Sequence, residues 1–198
     1  MIRVITLVVS LFTLGQARAQ EPPLPKSPTL HLIEMPAELR AWYRNPDGSC
    51  VQCSIGMCGI IQNCPPAYTL LWDTEYGKKV RGGSWPERVA GYCEARQIPA
   101  YNVTGSGTLE WMRWGIKTGR PLAIGAARAH FQTLLGYDDQ GTADESDDLW
   151  YVCNNNSTQK IDRYTDKQFR NLHYASGPWV VVLDLPPAPV TPRYHKWW

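Results

Sequence analysis

Three residue types that cooperate in acyl transfer occur in the order thiol, imidazole, carboxamide at Cys50, His130 and Asn154. Cys50 follows the turn signal Asn45-Pro46-Asp47-Gly48 and then Ser49, which can cap a helix, so Cys50 is expected in the first turn of a helix running through Ile61. Unpaired N–H groups and aligned peptide dipoles at such a position favour a thiolate. A thiolate nucleophile needs a proton carrier, and histidine serves because it titrates near neutrality. Of the four histidines, His31 and His195 fall in chain ends that read as mobile, and His173 reads as a helix-surface or loop residue. His130 heads the run "HFQTLLGYDD", where an apolar strand entering a core would hold its ring. A base also needs a side chain that fixes its tautomer. The strand-like "LWYVCNNNS" ends in three asparagines, Asn154 to Asn156, of which the first is the candidate. Taken singly, a strand-end histidine is more often structural and a run of asparagines more often a turn. The order of the three carries the functional reading.

The elements that must position these groups change period along the chain. "IEMPAELRAWYR" reads as a short amphipathic segment, and helices fit "SWPERVAGYCEARQ", with Ser84 as cap and Pro86 in the first turn, and "GTLEWMRWGIKTG", whose Leu109, Met112 and Ile116 share a face. Gly56 and Gly59 weaken the helix that carries Cys50, and Pro65-Pro66 stop it. After residue 119 the pattern turns to strands: "RPLAIGAA", "AHFQTLLGYDD", "DLWYVCNN" and "GPWVVVLDL" are short apolar or alternating runs bounded by turn residues. The acidic stretch 138–148 between two of them reads as an exposed hairpin loop. Helices first and strands afterwards predict an α+β fold, with a nucleophile helix packed on a C-terminal antiparallel sheet.

Arg3, the apolar run Val4 to Leu14 and the Ala17-Arg18-Ala19 site have the layout of a secretory signal, so residues 1–19 are expected to be removed. The apolar run is roughly eleven residues where about twenty are needed to span a bilayer, so no stable membrane anchor is expected. Residues 20–30 read as a flexible proline-rich arm, 31–185 as one domain, and 186–198 as a proline-rich aromatic tail. Without Arg3 and Arg18 the chain holds 18 basic and 18 acidic residues. That balance argues against a nucleic-acid partner. A secreted or periplasmic location would expose all six cysteines to oxidation, which makes Cys53, Cys58, Cys64, Cys93 and Cys153 disulfide candidates once Cys50 is set aside as nucleophile. The same cysteines include C-x2-C-x4-C-x5-C from Cys50 to Cys64, a single knuckle where a structural zinc site usually has two, or one with a spaced histidine pair. No metal and no cofactor are therefore expected. Tryptophans 111, 114, 150 and 179 read as core or sheet packing, with a substrate groove as the alternative.

The motifs around the three candidates resemble a known family. "DGSCVQCS" is similar to the nucleophile segment of papain-like cysteine peptidases, with Gly48, Ser49, Cys50 and Ser54 in register. "AHFQTLLGYDD" resembles the family's H-x5-G-Y segment through His130, Gly136 and Tyr137, and "LWYVCNNNS" resembles its Y-W-x-V-K-N-S segment, which places Asn154 as the orienting residue. Bacterial C39-like peptidases, on the same fold, have a similar layout. The resemblance implies a papain-like fold and hydrolysis of a peptide or amide bond through a thioester on Cys50, with a peptide or protein substrate, cell-wall peptides among the candidates, and a monomeric enzyme. It departs from the family at Arg44, where a glutamine that binds the oxyanion is usual. Asn45, one residue later, is the oxyanion-hole candidate, alone or with the Cys50 backbone N–H. The alternative is an exported binding or structural module of the same fold, inactive, with its cysteines in disulfides.

Overall fold

Apolar runs bounded by glycine, proline and aspartate settle into one antiparallel sheet, and the helices that precede and interrupt them cover it. A computed structural model describes residues 29–45, 48–69, 84–126, 128–157 and 160–187. The expected signal peptide, nearly all of the arm, most of the tail, His195 and the turn residues Pro46 and Asp47 lie outside the described residues.

The element order is β1 (Leu30–Leu32), α1 (Ala37–Trp42), α2 (Cys50–Ile61), α3 (Pro65–Tyr68), α4 (Pro86–Ala95), β2 (Ala100–Thr104), α5 (Thr108–Lys117), β3 (Leu122–Gly125), β4 (Phe131–Asp138), β5 (Leu149–Cys153), β6 (Ile161–Thr165), α6 (Asp166–Ala175) and β7 (Trp179–Leu183). The strands are ordered β2-β7-β3-β4-β5-β6, with every pairing antiparallel. β3 covers β4 only as far as Leu134, and β1 takes the rest of the same edge by pairing Leu30 to Leu32 with Asp138 to Gly136. The sheet is therefore α+β as expected, and β4 lies at its centre, buried along its whole length.

Two strands have no counterpart in the apolar pattern. β2 (AYNVT) and β6 (IDRYT) alternate between half-buried and exposed residues, so neither shows an apolar run, and their conformation comes from pairing with β7 and β5. His31 is likewise in a strand, opposite Tyr137 of β4, rather than in a mobile end.

α2 is buried nearly all round, which is why it is apolar on every face instead of on one stripe. Its glycines are what allow that burial. A Cβ at Gly56 would collide with the Tyr43 ring, and one at Gly59 would come within 2.5 Å of the Tyr68 backbone in α3. They cost helix propensity and permit close packing. α5 is amphipathic, with Leu109, Met112 and Ile116 buried at helical spacing, and the chain leaves it at Gly119 with φ 77°. α4 begins at Pro86, but Trp85 holds the cap position expected of Ser84.

α6 starts with a reciprocal capping box between Thr165 and Gln168 and buries Phe169 and His173, one turn apart. The expectation of a surface or loop position for His173 is thus corrected: the ring is completely buried. Its Nδ1 donates to the Gly125 carbonyl at 2.6 Å, and its Nε2 lies 2.8 Å from Thr108 Oγ1, so the imidazole ties α6 to the end of β3 and the start of α5. Burial holds its pKa below the ordinary value, against the opposing pull of the Gly125 carbonyl. A depressed histidine pKa means that the unfolded chain takes up the proton first as pH falls. The stability contribution is complete above the unfolded value near 6.5 and is lost as pH drops toward the folded one. Urea midpoints of wild type are expected to fall more steeply than those of His173→Gln between about pH 7.5 and pH 5.5. Parallel slopes would count against this.

Candidate functional site

The site is built where the first turn of α2 meets the start of β4 and the loop after β5. Cys50 is the first residue of α2, as its sequence context predicts. Ser49 stands at the cap position, but its side chain makes no cap hydrogen bond. Cys50 is buried among Val51, Ile55, Phe131 and Trp179, with the Phe131 and Trp179 rings in contact at 4.4 Å. That burial pushes its thiol up from the ordinary range, and the backbone N–H groups of Phe131, Val51 and Cys50 itself pull it back only in part. The expectation of a thiol readily ionised by the helix N-terminus is corrected accordingly. Desolvation of the sulfur outweighs the N–H groups that favour its charge.

His130 immediately precedes β4, and its carbonyl accepts from Ala126 N–H at 3.2 Å across the β3–β4 turn, where Ala129 takes φ 55°. The ring is half-buried. His130 Nε2 lies 3.0 Å from Asn154 Oδ1. The same oxygen accepts the backbone N–H of Asn156 at 3.0 Å, which fixes it as the acceptor face of the amide. Nε2 therefore carries a hydrogen, and Nδ1 is the ring nitrogen left for proton exchange. Since the Phe131 N–H acts on the Cys50 sulfur, the thiol sits beside the residue that follows His130.

The solved structure of UfSP from C. elegans is among those similar to this chain, at 17% identity and a TM-score of 0.40. The likeness covers 60% of this chain and 26% of that one, so the chain spans about a quarter of its length. No family model and no curated protein matches the sequence.

Asn45 belongs to the staple that closes the loop before α2. Its Nδ2 donates to Asn156 Oδ1 at 2.9 Å, its Oδ1 accepts from Gly48 N–H at 3.0 Å, and its backbone N–H donates to the Asn155 carbonyl at 2.7 Å. One amide hydrogen is left for any further acceptor.

Sequence reasoning gave Asn155 no role apart from its neighbours, because three consecutive asparagines look alike. The structure separates them. Asn155 is fully buried, and its Nδ2 lies 2.9 Å from the Cys50 carbonyl and 3.0 Å from both Ser54 Oγ and the Phe131 carbonyl.

No disulfide joins any two of the six cysteines; Cys53, Cys58, Cys64, Cys93 and Cys153, expected as partners in bridges, are thiols. Cys53 and Cys153 pack in the cluster of Leu134, Trp150 and Phe169, whereas Cys58, Cys64 and Cys93 pack in a second cluster with Ala67, Val89 and Ile98. Each fills apolar space as a small hydrophobic side chain. Burial, with the neighbouring Cys64 adding to it, pushes the Cys93 thiol up to about 11. Among the described residues no three of histidine, cysteine, aspartate and glutamate gather to hold a metal ion, and no helix is long and apolar enough to cross a membrane.

The tryptophans divide by location. Trp150 and Trp179 are core residues, and Trp111 is half-buried, packed against the core and beside Tyr101 and Trp114. Trp114 is 39% exposed and carries the Arg120 guanidinium over its ring at 5.1 Å.

Proposed function

We propose that the chain is an exported thiol hydrolase of papain-like type that cleaves a peptide or amide bond through Cys50, His130 and Asn154. The observation that carries this reading is the 3.0 Å contact between His130 Nε2 and Asn154 Oδ1, which commits one ring nitrogen to the carboxamide and leaves Nδ1 as the base. The similarity of the three motifs to papain-like peptidases supports it from the sequence.

A buried thiol with a raised pKa makes general-base activation the natural first step. As Cys50 Sγ adds to the substrate carbonyl carbon, its proton passes to His130 Nδ1. Asn154 holds the imidazolium through Nε2–H. The tetrahedral oxyanion is met by the Cys50 backbone N–H and by the remaining amide hydrogen of Asn45. When the C–N bond breaks, the proton leaves on the amine and a thioester remains on Cys50. Water, deprotonated by His130, cleaves that thioester to the carboxylic acid and restores the thiol.

Iodoacetamide labelling of the native, unreduced protein tests the reading. Cys50 is expected to be alkylated ahead of the other five cysteines, and His130→Ala is expected to remove that advantage. A Cys50 that stays unlabelled, or that reacts at the same rate without His130, would reject the enzyme in favour of a binding module of the same fold.

A further inference from the structure

The three groups of the proposed reaction come from three separated stretches of chain, and one side chain touches all three stretches. Asn155 follows Asn154 directly. Its Nδ2 reaches the carbonyl of Cys50 in the first turn of α2, the carbonyl of Phe131, the residue after His130, and the hydroxyl of Ser54 one turn further along α2. An amide nitrogen has two hydrogens, which match the two carbonyls, with Ser54 sharing them. The amide has only one workable orientation, because a carbonyl oxygen in place of Nδ2 would face two acceptors. Asn155 Oδ1, by contrast, is buried without a hydrogen-bond partner among the described residues. A polar side chain that leaves one end unsatisfied in the interior is held there by what its other end does.

We propose that Asn155 is a positioning residue of this site: its carboxamide fixes the backbone of Cys50 against the backbone of Phe131, and so sets the separation across which Cys50 and His130 exchange a proton. The inference rests on the thiol-hydrolase reading and adds to it a residue that touches neither substrate nor the reacting atoms. The sulfur is mounted on α2 and the imidazole just ahead of β4, two elements otherwise joined by apolar packing and by contacts to sulfur, the Phe131 N–H on Cys50 and Thr133 Oγ1 on Met57 Sδ at 3.2 Å, which resist sliding less sharply than hydrogen bonds between an amide and two carbonyls do. Removing the carboxamide lets the two drift apart without changing Cys50, His130 or Asn154.

The experiment compares full-length wild type, Asn155→Ala, Asn155→Ser and His130→Ala, with p-nitrophenyl acetate as acyl probe and iodoacetamide as thiol probe. Thermal melts establish which variants are folded at the assay temperature. Asn155→Ala is expected to lower kcat for the ester by about 100-fold with KM changed by less than about twofold, the pattern of lost alignment rather than lost binding. Its pH profile for alkylation of Cys50 should move to that of His130→Ala, a change that mere loss of stability in a folded variant would not produce. Asn155→Ser, which keeps one donor, should fall between, and it carries the test if the alanine variant does not fold. A folded Asn155 variant with wild-type kcat and a wild-type alkylation profile would overturn the inference and leave the hydrolase reading intact. A wild type whose Cys50 is inert to both probes would overturn both.

Discussion

Cys50→Ala is expected to abolish thiol-dependent acyl hydrolysis while leaving a folded protein. The chemical step begins with an electron pair on Cys50 Sγ, which lies beside the backbone of Phe131, the residue after the histidine that is hydrogen-bonded to Asn154. A nucleophile knocked out of a coupled set commonly costs about 10⁶-fold in kcat, so the residual rate should be indistinguishable from background. The structural cost is small by comparison. Replacing a buried thiol by a methyl group removes one sulfur from a site lined by Val51, Ile55 and Phe131, a loss on the scale of about 1 kcal/mol. Hydrolysis of p-nitrophenyl acetate and a thermal melt, run on the same preparation, separate the two effects. His130→Ala should approach the same loss, and Asn154→Ala should be milder, since the ring can still accept a proton when its tautomer is less firmly held. Full activity in Cys50→Ala would end the mechanism proposed here.

The parts of this site that can be read from sequence are those whose signal is local. A turn, a capping residue and an apolar run announce α2 and put Cys50 at its start; an apolar strand announces β4 and puts His130 just ahead of it. What cannot be read is how separate stretches meet. β2 and β6 carry as many polar as apolar residues and become strands only because β7 and β5 present free edges to them. α6 had a signal in Thr165-x-x-Gln168 followed by Phe169 and His173 one turn apart, but a histidine on an apolar face can be satisfied only by groups from elsewhere, here Gly125 and Thr108. Asn154 and Asn155 are chemically identical in the sequence and differ only by the alternation of side chains leaving β5, which sends one to His130 and the other into the interior. The disulfides were inferred from the expected compartment rather than from geometry. A compartment says what oxidation could do, not which sulfurs stand within bonding distance. The raised Cys50 thiol has the same origin: a helix N-terminus is visible in sequence, whereas the burial that opposes it comes from a cluster assembled out of distant stretches, Phe131 of β4 among them.

Trp150→Ala is expected to cost about 3–5 kcal/mol of stability, the range for truncating a fully buried large aromatic side chain. Trp150 is 0% exposed and stands in β5 between three elements. Its ring stacks on Phe169 of α6 at 4.5 Å and 11°, meets Tyr137 of β4 at 4.8 Å, and lies under the Arg113 guanidinium of α5 at 5.7 Å. Its Nε1 donates to Asp166 Oδ1 at 3.3 Å. Truncation would open a cavity among all of these, because strands fixed by their ladder hydrogen bonds cannot collapse to fill it. It would also remove a donor from Asp166, which would then depend on Arg170. Trp114→Ala provides the contrast within the same residue type: its ring is 39% exposed on the outer side of α5, so the loss should be under about 1 kcal/mol. Urea midpoints of the two variants at equal m-value would measure the difference. The comparison bears on the site as well, since β5 (Leu149–Cys153) carries Trp150 and delivers Asn154 to His130 at its end. A Trp150→Ala protein that remains folded should therefore lose acyl hydrolysis in proportion to how far that strand end has shifted, whereas Trp114→Ala should not. Equal destabilisation by the two substitutions would mean that the sheet does not draw its stability from the aromatic layer between β5 and α6.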